Sequence, residues 1–155
     1  MKYIGIVGAR KYRDKQSVVD LVHSLPKDSI IITSSCRGVC TWAAESARAA
    51  GFEVRVYAPD LRNIRNRHEM VERYYSRNRE LIAACEVVHA FISKEGGYTG
   101  GTRYEIRYAN RLKKYVFEHW ESEEVKQRGQ MSLPFEEREE ECSAGWKRVF
   151  AESLA

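Results

Sequence analysis

Five short apolar runs, rich in β-branched residues, recur along the chain: YIGIV (3–7), SIIIT (29–33), EVRVY (53–57), EVVHAFI (86–92) and KYVF (114–117). Stretches with helical spacing separate most of them. Val18, Val19, Leu21, Val22 and Leu25 share one face, Ala43, Ala44, Ala47 and Ala50 another, and Gly51 stands where a C-terminal cap belongs. Met70, Val71, Tyr74, Leu81 and Ile82 suit a longer or broken helix, and Ile106, Ala109 and Leu112 suit a last one. Strands apolar on both faces that alternate with helices require a parallel sheet covered on both sides. The expected fold is therefore α/β: a single Rossmann-like, doubly wound sheet of about five mainly parallel strands with helices on both faces. Its ligands belong in the crevice at the carboxyl ends of the strands.

Residues 119–155 break this rhythm with Pro134 and the acidic run FEEREEE, ending in a short amphipathic piece around Trp146, Val149, Phe150 and Leu154. The expected organisation is one domain over 1–118 and an acidic tail with short helices over 119–155. Charge divides the same way. Residues 1–117 hold 21 Lys/Arg against 12 Asp/Glu, whereas residues 118–155 hold 5 against 10. A basic body suits an anionic partner, a nucleotide or a nucleic acid.

No apolar stretch approaches the roughly 18 residues that a membrane span needs, and MKYIGIVGAR is charged too early for a signal peptide. A cytoplasmic address without membrane association is the expectation, with Cys36, Cys40, Cys85 and Cys142 as free thiols. The cysteines and the histidines at 23, 68, 89 and 119 lack metal-ligand spacing. No metal and no cofactor are expected.

The loops after the first, second and fourth strands carry the candidate site. Gly8 turns the chain at the end of the first strand, and Arg10 sets a guanidinium beside a helix start, suited to phosphate. A tight turn with a surface arginine accounts for the pair as well. After the second strand, Ser34, Ser35, Arg37 and Gly38 lead into the alanine-rich helix. The serines can donate to an anion or simply cap the helix. Cys40, near that helix start, is a candidate for a lowered thiol pKa. Residues 61–80 hold six arginines interleaved with tyrosines, suited to base stacking and phosphate contact, or to a solvated helix with pairs such as Glu69–Arg73. Arg77 and Arg79 lie nearest the fourth strand. After that strand, Gly100, Gly101 and Thr102 would form an anion nest at a helix start. Glu105 lies one turn in, able to reach a ribose hydroxyl, act as a base, or only stabilise the helix dipole.

In order, these pieces are G-x-R, (S/T)-x-x-x-R-G, R-N-R and G-T-x-x-E. Together, over about residues 1–115, they resemble the SLOG superfamily, which joins Smf-type DNA-processing proteins, Lonely-guy phosphoribohydrolases and small nucleotide-binding domains. The resemblance implies nucleotide or phosphate binding by Gly8, Arg10, Ser34, Ser35, Arg37, Gly38, Arg79, Gly100, Gly101 and Thr102. With the hydrolase branch it implies that Glu105 and Arg77 assist cleavage of the N-glycosidic bond of a nucleoside 5′-monophosphate, or a deoxyribosyl transfer. It also implies a homodimer paired through helices beside the site. The chain departs from the family pattern in two places: the hydrolase loop's proline is missing, and Ser34, Ser35 and Cys40 replace two glycines and an aspartate of the DNA-processing motif. In the tail, Gln130-Met131-Ser132-Leu133-Pro134-Phe135 resembles the peptide by which replication and repair proteins dock on a sliding clamp, with Gln130, Leu133 and Phe135 as anchors. Three functions stand open: nucleotide binding, nucleotide N-glycosidase, and DNA processing with single-stranded DNA or a clamp as partner.

Overall fold

A computed structural model describes residues 2–122. The peptide Gln130–Phe135, Cys142 and the rest of 123–155 lie outside the described residues. The elements run β1 (Tyr3–Gly8), α1 (Lys15–Ser24), β2 (Ile30–Ser34), α2 (Val39–Ala49), β3 (Glu53–Tyr57), α3 (Arg67–Ala83), β4 (Val87–Ile92), α4 (Gly100–Arg111) and β5 (Tyr115–Trp120). The strands form one sheet in the order β3-β2-β1-β4-β5, and every pairing is parallel. The expected α/β architecture is the observed one. The last strand continues past residue 118 to Trp120.

Alternation along the strands builds two cores. Ile4, Ile6, Ile31 and Phe91 face one side of the sheet, where they pack with Val18 and Val22 of α1 and Val39, Ala43 and Ala47 of α2. Val7, Ile30, Ile32, Val88, Ala90 and Ile92 face the other, with Leu81 and Ile82 of α3 and Ile106 and Ala109 of α4. Each fully buried aliphatic side chain of this kind contributes about 1.5–3 kcal/mol relative to exposure. The two edge strands do not share the double burial expected for all five. Val56 on β3 and Tyr115 and Phe117 on β5 are exposed, because an edge strand has a neighbour on one side only.

Local signals set the helix ends. Asp14 caps α1 by accepting from the Ser17 backbone N–H at 3.2 Å. Asn66 caps α3 by accepting from Glu69 N–H at 2.9 Å, while the Glu69 carboxylate accepts from Arg65 N–H at 2.8 Å. Glu69 is thus engaged at the cap rather than with Arg73, which pairs with Asp60 at 3.7 Å. Gly51 ends α2 in the left-handed conformation at φ +88°, as its position suggested.

The strand order reverses between β1 and β4: the chain moves outward through β2 and β3, then returns to the far side of β1 for β4 and β5. At this reversal the loops after β1 and β4 diverge and open a crevice. Ala9 N–H donates to the Phe91 carbonyl at 3.1 Å, and buried Tyr12 meets the Phe91 ring edge-on at 5.3 Å. The loop carrying Arg10 is therefore anchored to β4.

Gly8 has a more specific reason than turning the chain. A Cβ there would lie 2.7–2.8 Å from three side-chain carbons of Val39, so β1 and α2 meet only without one. Gly8→Ala should lower unfolding free energy by about 1–3 kcal/mol, the usual range for overpacking, as read by denaturant titration. An unchanged midpoint would show that α2 shifts freely.

Candidate functional site

Two helix starts at the carboxyl edge lack a side-chain cap. In α4 the N-cap is Thr99, with no side-chain cap bond. The first bond of its ladder joins Arg103 N–H to the Thr99 carbonyl at 3.3 Å, leaving the N–H groups of Gly100, Gly101 and Thr102 outside it. Gly100 is left-handed at φ +62° and passes into the helical Gly101, a sequence of conformations that turns successive N–H groups toward one point. In α2 the N-cap is Gly38 at φ +82°, again without a side-chain bond. Neither Ser34 nor Ser35 caps this helix.

The loop after β4 is built to reach α4. The Ser93 hydroxyl accepts from Gly96 N–H at 2.9 Å, its carbonyl accepts from Gly97 N–H at 2.8 Å, and the Thr99 hydroxyl donates to the Gly96 carbonyl at 2.9 Å. Gly97 is left-handed at φ +59°, so Gly96 and Gly97 shape the turn that leads to Gly100.

A cavity of about 460 Å³ lies over the reversal. Gly8, Arg10, Arg77, Gly101, Thr102 and Glu105 line it, with Asn78, Tyr74, Tyr75 and Cys36. Arg77 and Asn78 are buried near the end of α3. Arg77 Nε donates to Asn78 Oδ1 at 2.8 Å, and the guanidinium reaches the Tyr57 carbonyl and Cys36 Sγ, both at 3.5 Å. It lies over the Tyr74 ring at 5.6 Å. Asn78 Nδ2 stands 3.8 Å from where a Cβ on Gly101 would be, and Glu105 Oε1 stands 3.9 Å from it. Gly101 therefore lets the backbone of α4 face these two side chains closely.

Glu105 is 9% exposed, and its Oε2 has no hydrogen-bond partner among the described residues. Burial pushes its pKa up to about 8, against the opposing attraction of Arg77. The carboxyl is thus largely protonated at neutral pH, able to donate one hydrogen bond and accept others.

The other expected site residues divide. Arg10, Ser35 and Arg37 line an adjoining concavity of about 800 Å³ with Cys36, Pro59, Leu61 and Tyr74. The Ser34 hydroxyl is turned inward, 3.1 Å from Cys40 Sγ and accepting from Cys36 N–H at 3.2 Å. Arg79 lines neither concavity. Its position on the helix directs it to Glu72 at 2.8 Å and the Tyr104 hydroxyl at 3.0 Å. Burial, reinforced by the nearby Glu105 carboxylate, pushes the Cys40 thiol up, the reverse of the lowering expected at a helix start. The cavity also contains residues that the loop motifs did not single out: Asn78, Tyr74, Tyr75, Ser93 and Thr99. Asn78 is the middle of R-N-R, but nothing in the spacing showed that it, rather than Arg79, faces inward.

No protein-family model matches the chain, and comparison with curated proteins finds no match. Among solved structures, it matches DNA processing protein A from Streptococcus pneumoniae with a TM-score of 0.62 at 16% identity. The fold is like that of DNA processing protein A. The match covers 76% of this chain and 50% of that one, so the chain spans about half the length of that protein. At this identity the likeness to DNA processing protein A is one of fold alone. Among the described residues, no helix is long and apolar enough to cross a membrane, and no cluster of three or more His, Cys, Asp or Glu side chains could hold a metal ion.

The raised pKa of Glu105 has a definite sign for stability. The folded state holds its proton above the ordinary carboxyl pKa of 4.5, so this group's contribution is full below pH 4.5 and is lost as pH rises through about 8. Glu105→Gln should therefore be the more stable form at pH 8.5, by a few kcal/mol at most, with the gap closing at pH 5. Paired thermal melts check this, and a gap independent of pH would refute it.

Proposed function

We propose that the chain binds a nucleotide or a ribose-phosphate derivative at the carboxyl edge of its sheet. One observation carries the proposal: the buried, unpartnered Oε2 of Glu105 shares a cavity with the open start of α4 and with buried Arg77. An unmet buried polar atom is unfavourable by about 1–3 kcal/mol unless a partner arrives, and a ribose hydroxyl is such a partner. The N–H groups at Gly100–Thr102 suit a phosphate in charge and geometry, with Arg77 as a second positive group. Tyr74 and Tyr75 offer aromatic surface for a base. A volume near 460 Å³ is within the range of small-molecule sites.

A second reading has its own support in the protonated state of Glu105. In N-glycosidic cleavage of a nucleoside 5′-monophosphate, this carboxyl would give its proton to the departing base nitrogen. Water would add its oxygen to C1′ and return a proton to the carboxylate. Arg77 would hold the charge on the phosphate side. The third reading draws on the likeness to a DNA processing protein and on the arginines of α3 and the preceding loop.

Calorimetric titration with a panel of nucleoside 5′-monophosphates separates the three, combined with chromatography for released base. Saturable binding without base release supports the binding protein, and bound nucleotide should shield Cys36 from alkylation. Base release that falls at least a hundredfold in Glu105→Gln supports the enzyme. No binding across the panel, with salt-dependent affinity for single-stranded DNA, would replace both by the third reading.

A further inference from the structure

Three side chains around the cavity are each at most 9% exposed: Arg77, Asn78 and Glu105. Arg77 and Asn78 adjoin on α3, and Glu105 belongs to α4. The amide of Asn78 has one orientation open to it. Arginine only donates, so the atom that Arg77 Nε meets at 2.8 Å is the carbonyl Oδ1. The Nδ2 group, a donor only, is thereby turned toward α4, where it stands 3.8 Å from the position of a Cβ on Gly101.

Glu105 lies one turn beyond Gly101 on the same helix, so its side chain leans back over that glycine. Its Oε1 stands 3.9 Å from the same Cβ position. Asn78 and Glu105 therefore flank a gap above Gly101. A methyl group there would touch both in ordinary van der Waals contact and fill the gap. Unlike Gly97 and Gly100, Gly101 is not left-handed, so its backbone conformation does not call for glycine. The open space does. The buried Oε2 of Glu105, without a hydrogen-bond partner among the described residues, is the separate sign that this cluster is incomplete by itself. A donor-only amide faces a carboxyl that, when protonated, both donates and accepts. The complement of that pair is two neighbouring hydroxyl groups, each able to do either.

We infer that the gap above Gly101 receives the 2′,3′-diol of a ribose, one hydroxyl accepting from Asn78 Nδ2 and the other bonded to the Glu105 carboxyl, so that the site takes ribonucleotides and rejects deoxyribonucleotides. The inference rests on the nucleotide-binding reading and deepens it, with Asn78 as the residue that sets specificity. A sugar lacking either hydroxyl leaves a buried polar group of the protein unpaired. That rejects an analogue far more strongly than a missing contact on an apolar wall does.

The test is calorimetric titration of the full chain with ribonucleoside 5′-monophosphates and with their 2′-deoxy and 3′-deoxy counterparts. Each deoxy form should bind at least about tenfold more weakly than its parent. Asn78→Asp keeps the acceptor that Arg77 uses and removes the donor. Gly101→Ala keeps the backbone N–H, suits a helical backbone and fills the gap. Each should bring the ratio close to one, with thermal melts confirming the fold. In isotope-labelled unaltered protein, magnetic resonance should show the Asn78 side-chain amide signals moving when the ribonucleotide is added, a readout that needs no variant. Equal affinity for ribose and deoxyribose forms, with binding intact, would overturn the diol inference and leave the nucleotide reading standing. So would a ratio unchanged in folded Gly101→Ala or Asn78→Asp, or amide signals that stay in place. Absence of binding by every nucleotide would remove both. A ribo-oligonucleotide with a free 3′-terminal diol separates the sources: affinity no greater than the mononucleotide's supports a small ligand, and affinity that climbs with strand length overturns it in favour of RNA.

Discussion

The reversal of strand order between β1 and β4 is the constraint on which the rest depends. A parallel sheet that winds both ways from its centre must part its loops at one place. Here the parting lies beside Gly8 and Ser93. Close contact keeps the two sides in register: Gly8 pairs with Phe91 across the strands, Tyr12 packs on Phe91, and Val39 fills the space that a side chain on Gly8 would need. The crevice is thus bounded by helix ends and by loops anchored to the sheet. That setting suits the ordered placement of Arg10, Arg77 and Glu105 around one cavity.

Within that frame the electrostatics are unusual in one respect. Arg77 and Glu105 are both buried and would attract if both were ionised, yet the carboxyl is held toward its protonated form because desolvation outweighs the attraction of the guanidinium. Arg77 spends its hydrogen bonds on Asn78 and the Tyr57 carbonyl. The result is a polar cluster with one unmet oxygen, facing helix N–H groups that have no side-chain partner. Such an arrangement is unfavourable for the isolated chain and favourable once a group with matching donors and acceptors enters.

The strand and helix pattern was legible because burial on both faces leaves nearly continuous apolar runs, as in SIIIT and EVVHAFI. The edge strands were not legible as such: EVRVY and KYVF were grouped with the buried runs, whereas the structure exposes Val56, Tyr115 and Phe117. Helix ends were mixed. Gly51 behaved as its position implies, whereas Glu69 went to the cap of α3 and Arg73 to Asp60, since i,i+4 spacing allows a pair without requiring it. The opening serines also divided. Ser35 lines the outer concavity and Ser34 turns toward Cys40, a distinction set by alternation at the end of β2.

By itself the sequence determined the fold class and the residue types gathered at the carboxyl edge of the sheet. Those follow from periodicity and from glycine and arginine placement, which are local properties. Only the tertiary structure decided that Arg77 and Asn78 face inward while Arg79 faces Glu72 and Tyr104, because one residue's rotation on a helix changes its whole surroundings. It alone raised the Cys40 and Glu105 pKa values, since desolvation depends on every neighbouring element at once. And it alone brought Arg10, Cys36 and Gly101 around one cavity, because residues more than sixty positions apart in the chain meet only when the sheet has formed between them.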